Sequence, residues 1–284
     1  MLNSNIQEVE ELKIFYKEII DGHSFYEDNL VYVKHLTDLD NTEITKKKQE
    51  LFSKYRKDLP TEEEKLQQLY DSEQWSKEQD EQILNYQYVI SDNEKNLKNV
   101  IPLQHGPIIK IIDANKKELN KILQEKRVLM GRTAGEFAER DTFYYMVYLS
   151  MYKDKELTQR HFAKFSEFEE LEEDEIRPYI ELLDKTLRKF TDEILKKISV
   201  LPIFLNPLSY AKDSVYNFLG KPLIYATPYQ MALLSLGTRN LNIMGQTDGE
   251  PPTLLDDIKI IDLVNWYDQQ YSIILGKRNA PKRV

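Results

Sequence analysis

The chain has 284 residues, with 39 Lys and Arg against 48 Asp and Glu, so it carries a net charge of −9 and is long enough for one large domain or two modest ones. The absence of cysteine excludes disulfides, thiolate metal sites, iron–sulfur clusters and cysteine nucleophiles together. Nine glycines and eleven prolines, beside 31% charged residues, exclude collagen-like and linker compositions and a turn-dense β-barrel, and they point to long, solvated, mainly helical elements.

The N-terminus is polar and turns acidic by Glu8, without the basic start and apolar run of a signal peptide. Leu12, Phe15, Ile19 and Ile20 follow at helical spacing. From Phe25 to His35 aromatic and β-branched residues flank Glu27-Asp28-Asn29, which predicts a small β-hairpin and the only sheet of the chain. Thr61-Glu62-Glu63-Glu64 after Pro60 is a capping box opening a helix through Leu66, Leu69 and Tyr70.

Between Trp75 and Met130 two single-stripe patterns predict an antiparallel helical hairpin. The first arm places Ile83, Tyr86, Ile90 and Leu97 on one face. The second, from about Ile108 to Leu129, places Ile108, Ile112, Leu119, Ile122 and Leu129, with the tip at Pro102 to Pro107 and Gly131 as the stop. Thr133-Ala134-Gly135-Glu136 is a second capping box. The helix behind it is apolar on most sides from Phe137 to Tyr152, the mark of a central element.

One long helix is predicted from Ile176 through Ile180, Leu183, Leu187, Phe190 and Ile194 to Ile198, ending at Pro202, with Lys189 exposed. Tyr210 to Leu219 reads as a short helix closed by Gly220, and Thr227-Pro228-Tyr229-Gln230 opens another that should stop at Gly237. Ile261 to Leu275 is the last, stopped by Gly276 ahead of a basic tail of Lys277, Arg278, Lys282 and Arg283. The fold class is therefore mainly α, a helical bundle with a long antiparallel hairpin and a small N-terminal β-hairpin. The division expected is 1–74, 75–131 and 132–284.

Candidate chemistry is sparse. Seven of the nine residues from Glu167 to Glu175 are acidic, but they lack the alternation and glycine of a calcium loop, so they read as an acidic loop and first helical turn. His23, His35, His105 and His161 form no HxxxH or HxH pair, and His105 beside Gly106-Pro107 reads as a turn residue. Gly131-Arg132-Thr133-Ala134-Gly135 lacks the spacing and lysine of a phosphate loop. The negative charge disfavours non-specific nucleic-acid binding, and no apolar run approaches the roughly 20 residues of a membrane helix. No cofactor or metal is expected.

The C-terminal third is rich in apolar residues: Leu223, Ile224, Tyr225, Met231 and Leu236, then Leu263, Trp266, Tyr267, Tyr271 and Ile274. A single helix near a terminus seldom buries so many in its own domain, so Leu263, Trp266, Tyr267 and Tyr271 are the expected partner-binding residues.

Val31-Tyr32-Val33-Lys34-His35-Leu36, Leu59-Pro60-Thr61-Glu62-Glu63-Glu64, Gly131-Arg132-Thr133-Ala134-Gly135-Glu136-Phe137, Phe218-Leu219-Gly220-Lys221-Pro222 and Trp266-Tyr267 occur in that order over most of the chain. In these the chain resembles poorly characterised helical proteins of large tailed bacteriophages, of the tail- and baseplate-assembly type. The resemblance implies a non-enzymatic role in virion morphogenesis, as a chaperone for a tail component, in the host cytoplasm or the virion. The partner would be another phage structural protein or a second copy of the chain. A structural subunit of the finished virion and an enzyme whose site forms only in three dimensions are the alternatives.

Overall fold

The computed structural model describes residues 2–97, 99–100, 105–212, 214–247, 249–252 and 259–279. Among them thirteen α-helices and one three-stranded antiparallel sheet make the chain mainly α. It divides into two compact units, 1–46 with 143–284 and 47–142. This differs from the expected division: residues 1–46 return to the C-terminal elements, and 47–74 join the hairpin.

In unit 47–142, α3 (Glu62–Asp71) opens on the expected box, in which Thr61 Oγ1 accepts from Glu64 N and the Glu64 carboxylate accepts from Thr61 N. The helices α4 (Lys77–Leu97) and α5 (His105–Met130) form the hairpin. Lys116 bonds Glu94 at 2.8 Å and Lys126 bonds Asp80 at 2.6 Å, so positions rise on one arm as they fall on the other, and the arms are antiparallel. Ile83, Ile90 and Ile112 are buried, and Leu119, Ile122 and Leu129 are half-buried, as the stripes require. Pro102 lies outside the described residues. His105, Gly106 and Pro107, expected at the tip, form the first turn of α5. A proline there sacrifices only an N–H that has no intrahelical acceptor.

The foot of the hairpin is anchored on Trp75, buried against Leu69 and Ile83. Its indole donates to Asp80 Oδ1 at 3.0 Å, and the same carboxylate accepts from Lys126 and from the Tyr70 hydroxyl. Burial alone would raise the Asp80 carboxyl, but those three donors outweigh it and hold it below the usual carboxylate range. The Tyr70 hydroxyl, bonded to that anion, is pushed up to about 12.

In the larger unit, α1 (Leu2–Asp21) ends at Gly22, whose φ of +76° turns the chain into β1 (His23–Tyr26). A 3₁₀ turn over Glu27–Asn29 leads to β2 (Val31–Lys34), antiparallel with His23 opposite Lys34 and Tyr26 opposite Val31. The hairpin is as expected, but the sheet has a third strand. α6 (Ala134–Ser150), which like α2 (Asp38–Tyr55) crosses the division, ends before Met151 and Tyr152, and these form β3 (Met151–Tyr152) opposite Val33 and Tyr32. The free edge of β2 supplies ladder bonds that a further half-turn of helix could not match. From 141 to 152 no residue is exposed, so the element is central.

The short α7 (Phe165–Glu169) precedes α8 (Glu173–Lys189) and α9 (Asp192–Ser199). These last two replace the single helix predicted from Ile176 to Ile198. The apolar stripe runs through in phase, but Thr191 leaves the helix and caps α9, its Oγ1 accepting from Ile194 N. Leu187 is 49% exposed, and Thr186, whose hydroxyl meets that of Tyr26 at 2.9 Å, takes the buried position. Lys189 is not a free surface cation, since its Nζ lies 2.6 Å from Glu18 Oε2.

α9 stops at Ser199, just short of Pro202, and Pro202 itself starts the next helix, α10 (Pro202–Tyr210). The helix expected from Tyr210 shrinks to α11 (Val215–Leu219), closed by Gly220 at φ +67°. α12 (Pro228–Met244) has its expected capping box but runs through Gly237. A Cβ there would sit 2.4 Å from Phe204 Cε1 and 2.5 Å from Leu208 Cδ2, so this glycine allows α10 and α12 to approach. α13 (Ile260–Asn279) likewise continues through Gly276.

Two apolar clusters fill this unit. One gathers Leu12, Ile19, Phe190, Ile198, Phe204, Leu233 and Tyr267, and the other Val31, Val33, Val147, Phe168, Ile176 and Leu183. Among the described residues no helix is long and apolar enough to cross a membrane.

Candidate interaction surface

Of the four residues expected to bind a partner, Leu263 and Tyr267 are 5% and 2% exposed and belong to the core of their own unit. With Val264 they face α9 and α12, and two flanking helices suffice to bury a full stripe even near a terminus. Trp266 is half-buried, its ring edge-on to Tyr267 at 4.9 Å. Tyr271 is exposed. The Arg239 guanidinium lies 5.2 Å from its ring centroid and pairs with Asp268 at 3.0 Å, which also takes Lys196 at 2.9 Å. Ile261, Tyr271, Ile273 and Leu275 are the large apolar residues that α13 leaves exposed.

A denser set of exposed apolar side chains lies earlier. Leu223, Ile224 and Tyr225, a 3₁₀ turn before α12, are 54%, 51% and 48% exposed. Tyr210 and Tyr216 on the preceding short helices are more exposed still. Composition had marked residues 223–225 as apolar. That their turn leaves all three outward was not written in any periodicity.

The other candidates resolve into structure. At the start of α6, Glu136 N donates to Thr133 Oγ1, and that hydroxyl donates to Glu62 Oε1 at 2.8 Å. A Cβ on Gly135 would lie 2.1 Å from the same oxygen. An internal carboxylate thus covers the helix N-terminus, where an anion would otherwise sit. In the acidic run, Glu172 and Glu175 cap α8 reciprocally, Asp174 pairs with Arg177 at 2.8 Å, and Glu167 accepts from Ala163 N. Among the described residues no group of three or more His, Asp and Glu side chains is placed to hold a metal ion. Of the basic tail, Lys277 and Arg278 fall in the last turn of α13, and Lys282 and Arg283 lie outside the described residues.

His35 is 3% exposed, with Nε2 at 3.1 Å from Ser24 Oγ, and Ser24 in turn donates to Glu18 Oε2 at 2.7 Å. Ser24 has one proton and gives it to the carboxylate, so Nε2 carries the imidazole proton and Nδ1 is a bare acceptor without a partner. Burial, with the positive fields of His23, Lys189 and Lys221, lowers His35 to about 3. The line superficially resembles a nucleophile and base, but the serine proton points at Glu18, and Ser24 is fully buried. His161 bonds the Tyr179 hydroxyl at 3.0 Å and is also lowered by burial, while His105 meets Val100 O at 3.2 Å.

Comparison of the chain with protein-family models, with curated proteins and with solved structures finds no match.

Proposed function

We propose that the protein is a non-enzymatic binding protein of the phage-morphogenesis type, an assembly factor that holds another structural protein of the particle. The observation that carries the binding reading is the run Leu223-Ile224-Tyr225, three consecutive large apolar residues each about half exposed, with Tyr210 and Tyr216 more exposed on the short helices before them. Tyrosine is enriched in protein contacts, and an exposed apolar patch around it marks a surface that a partner can cover. The sequence resemblance to tail- and baseplate-assembly proteins supplies the context. The hairpin supplies a long two-helix arm on the second unit.

Quantitative mass spectrometry of purified particles against the infected-cell lysate tests the reading. An assembly factor is found in the lysate bound to a structural protein and is depleted from particles. Fixed stoichiometry in the particle would make it a virion subunit instead, and absence of any association with particle proteins would refute both.

A further inference from the structure

Where α5 gives way to α6, a cleft of about 670 Å³ is lined by Arg127, Val128, Arg132, Glu136, Phe137 and Arg140. Unit 47–142 has four arginines, and three of them meet here. Like charges repel, so such a gathering is stabilised when an anion lies among them. Arg127 and Arg132 have no carboxylate within ion-pair distance among the described residues.

One of these donors is held in place by its neighbours. The guanidiniums of Arg140 and Arg132 lie 4.6 Å and 5.9 Å from the Phe137 ring centroid, and the Tyr55 ring packs against the same phenyl at 5.4 Å. Asp141, itself buried, takes Arg140 Nε at 2.9 Å and one terminal nitrogen at 2.8 Å, and accepts from the Tyr55 hydroxyl. Arg140 is thereby fixed in plane before any ligand arrives.

The remaining walls are unlike those of a plain anion site. Glu136, one turn before Arg140, would repel a phosphate but can accept from a hydroxyl, and Val128 is an exposed apolar surface. The volume suits a small organic ligand and far exceeds inorganic phosphate. The surrounding unit has 17 Lys and Arg against 18 Asp and Glu, so it holds little of the chain's −9 and does not repel an anion strongly.

We propose that this cleft binds a nucleoside phosphate. Arg127, Arg132 and Arg140 take the phosphate oxygens, Glu136 accepts from a sugar hydroxyl, and Val128 with the stacked Arg–Phe137 surface meets the base. The site belongs to the unit that does not contain residues 223–225, and it stands or falls independently of the assembly reading.

The test is calorimetry on the full chain with magnesium-free adenosine diphosphate, adenosine, pyrophosphate and a glutamate-rich peptide. The diphosphate should bind saturably and about tenfold more tightly than pyrophosphate or adenosine alone. Arg127→Ala and Arg132→Ala should each weaken it about tenfold, the loss of one charge-assisted contact, with unchanged circular dichroism because both side chains are exposed. Glu136→Ala should weaken adenosine and tighten pyrophosphate, because it removes the hydroxyl acceptor together with the charge that repels phosphate. The absence of saturable binding at millimolar nucleotide, wild-type affinity in the Arg127→Ala/Arg132→Ala double variant, pyrophosphate binding as tightly as the nucleotide, or tighter binding of the acidic peptide would each overturn the proposal.

Discussion

His35 should make folding stability depend on pH in a way that one substitution removes. Its imidazole is neutral and buried, with a pKa lowered from 6.5 to about 3, so between those values the unfolded chain binds a proton that the native chain refuses. Stability from this group is therefore complete above about pH 6.5 and is lost as pH falls toward 3. At pH 4.5 the unfolded side chain is two units below its pKa, and at about 1.36 kcal/mol per unit the loss is about 2.7 kcal/mol. His35→Gln keeps a donor for Ser24 Oγ but does not titrate. Urea unfolding of both proteins at pH 7 and pH 4.5 isolates the effect, because the carboxylates and His161 titrate in both and cancel in the difference. The stability gap between wild type and variant should move by about 2.5 kcal/mol in favour of the variant on acidification. A gap that does not change with pH would mean that His35 is protonated in the native core, with the added proton on Nδ1, and that burial does not hold the imidazole neutral.

Gly237→Ala should destabilise the larger unit by about 1–3 kcal/mol despite the better helix propensity of alanine, because the added methyl meets Phe204 and Leu208, both fully buried. Chemical denaturation checks it, and a variant as stable as wild type would show that α10 can yield. Leu183→Ala should cost about 2–5 kcal/mol and Leu187→Ala less than about 1 kcal/mol, a contrast in denaturation midpoints that follows from one being buried and the other half exposed. Asp80→Asn should cost about 1–3 kcal/mol by weakening the acceptor shared by Trp75, Tyr70 and Lys126, read from tryptophan emission during unfolding. Tyr271→Ser should leave the melting midpoint nearly unchanged, and loss of partner capture in that variant would place α13 in the contact.

The features legible in the sequence are those decided within a few residues. Thr61 with Glu64 and Thr227 with Gln230 each carry both halves of a cap, and the structure closes both rings. The stripes of α4 and α5 are equally plain because each arm buries a single face. The break between α8 and α9 escaped because the apolar phase continues across it. Thr191-Asp192-Glu193 was the available signal, a capping residue followed by acids, and it lost to periodicity. β3 could not be found locally at all, since two residues become a strand only where β2 offers an edge.

Glycine shows the same division between local and tertiary causes. Gly131 and Gly220 end helices at positive φ, a conformation that the backbone demands and glycine alone meets cheaply. Gly237 looks identical in the sequence, yet it is determined by Phe204 and Leu208, more than 25 positions away, and the helix passes through it. On α13 the ambiguity is between core and surface: Leu263 and Tyr267 differ from Ile273 and Leu275 only in which side faces α9 and α12. In the arginine cleft the relevant residues lie within fourteen positions, but the glycines of 131–135 drew the chemical reading to the backbone. The helix N-terminus there is satisfied by Glu62, and the side chains left to meet an anion are the arginines on either side of it.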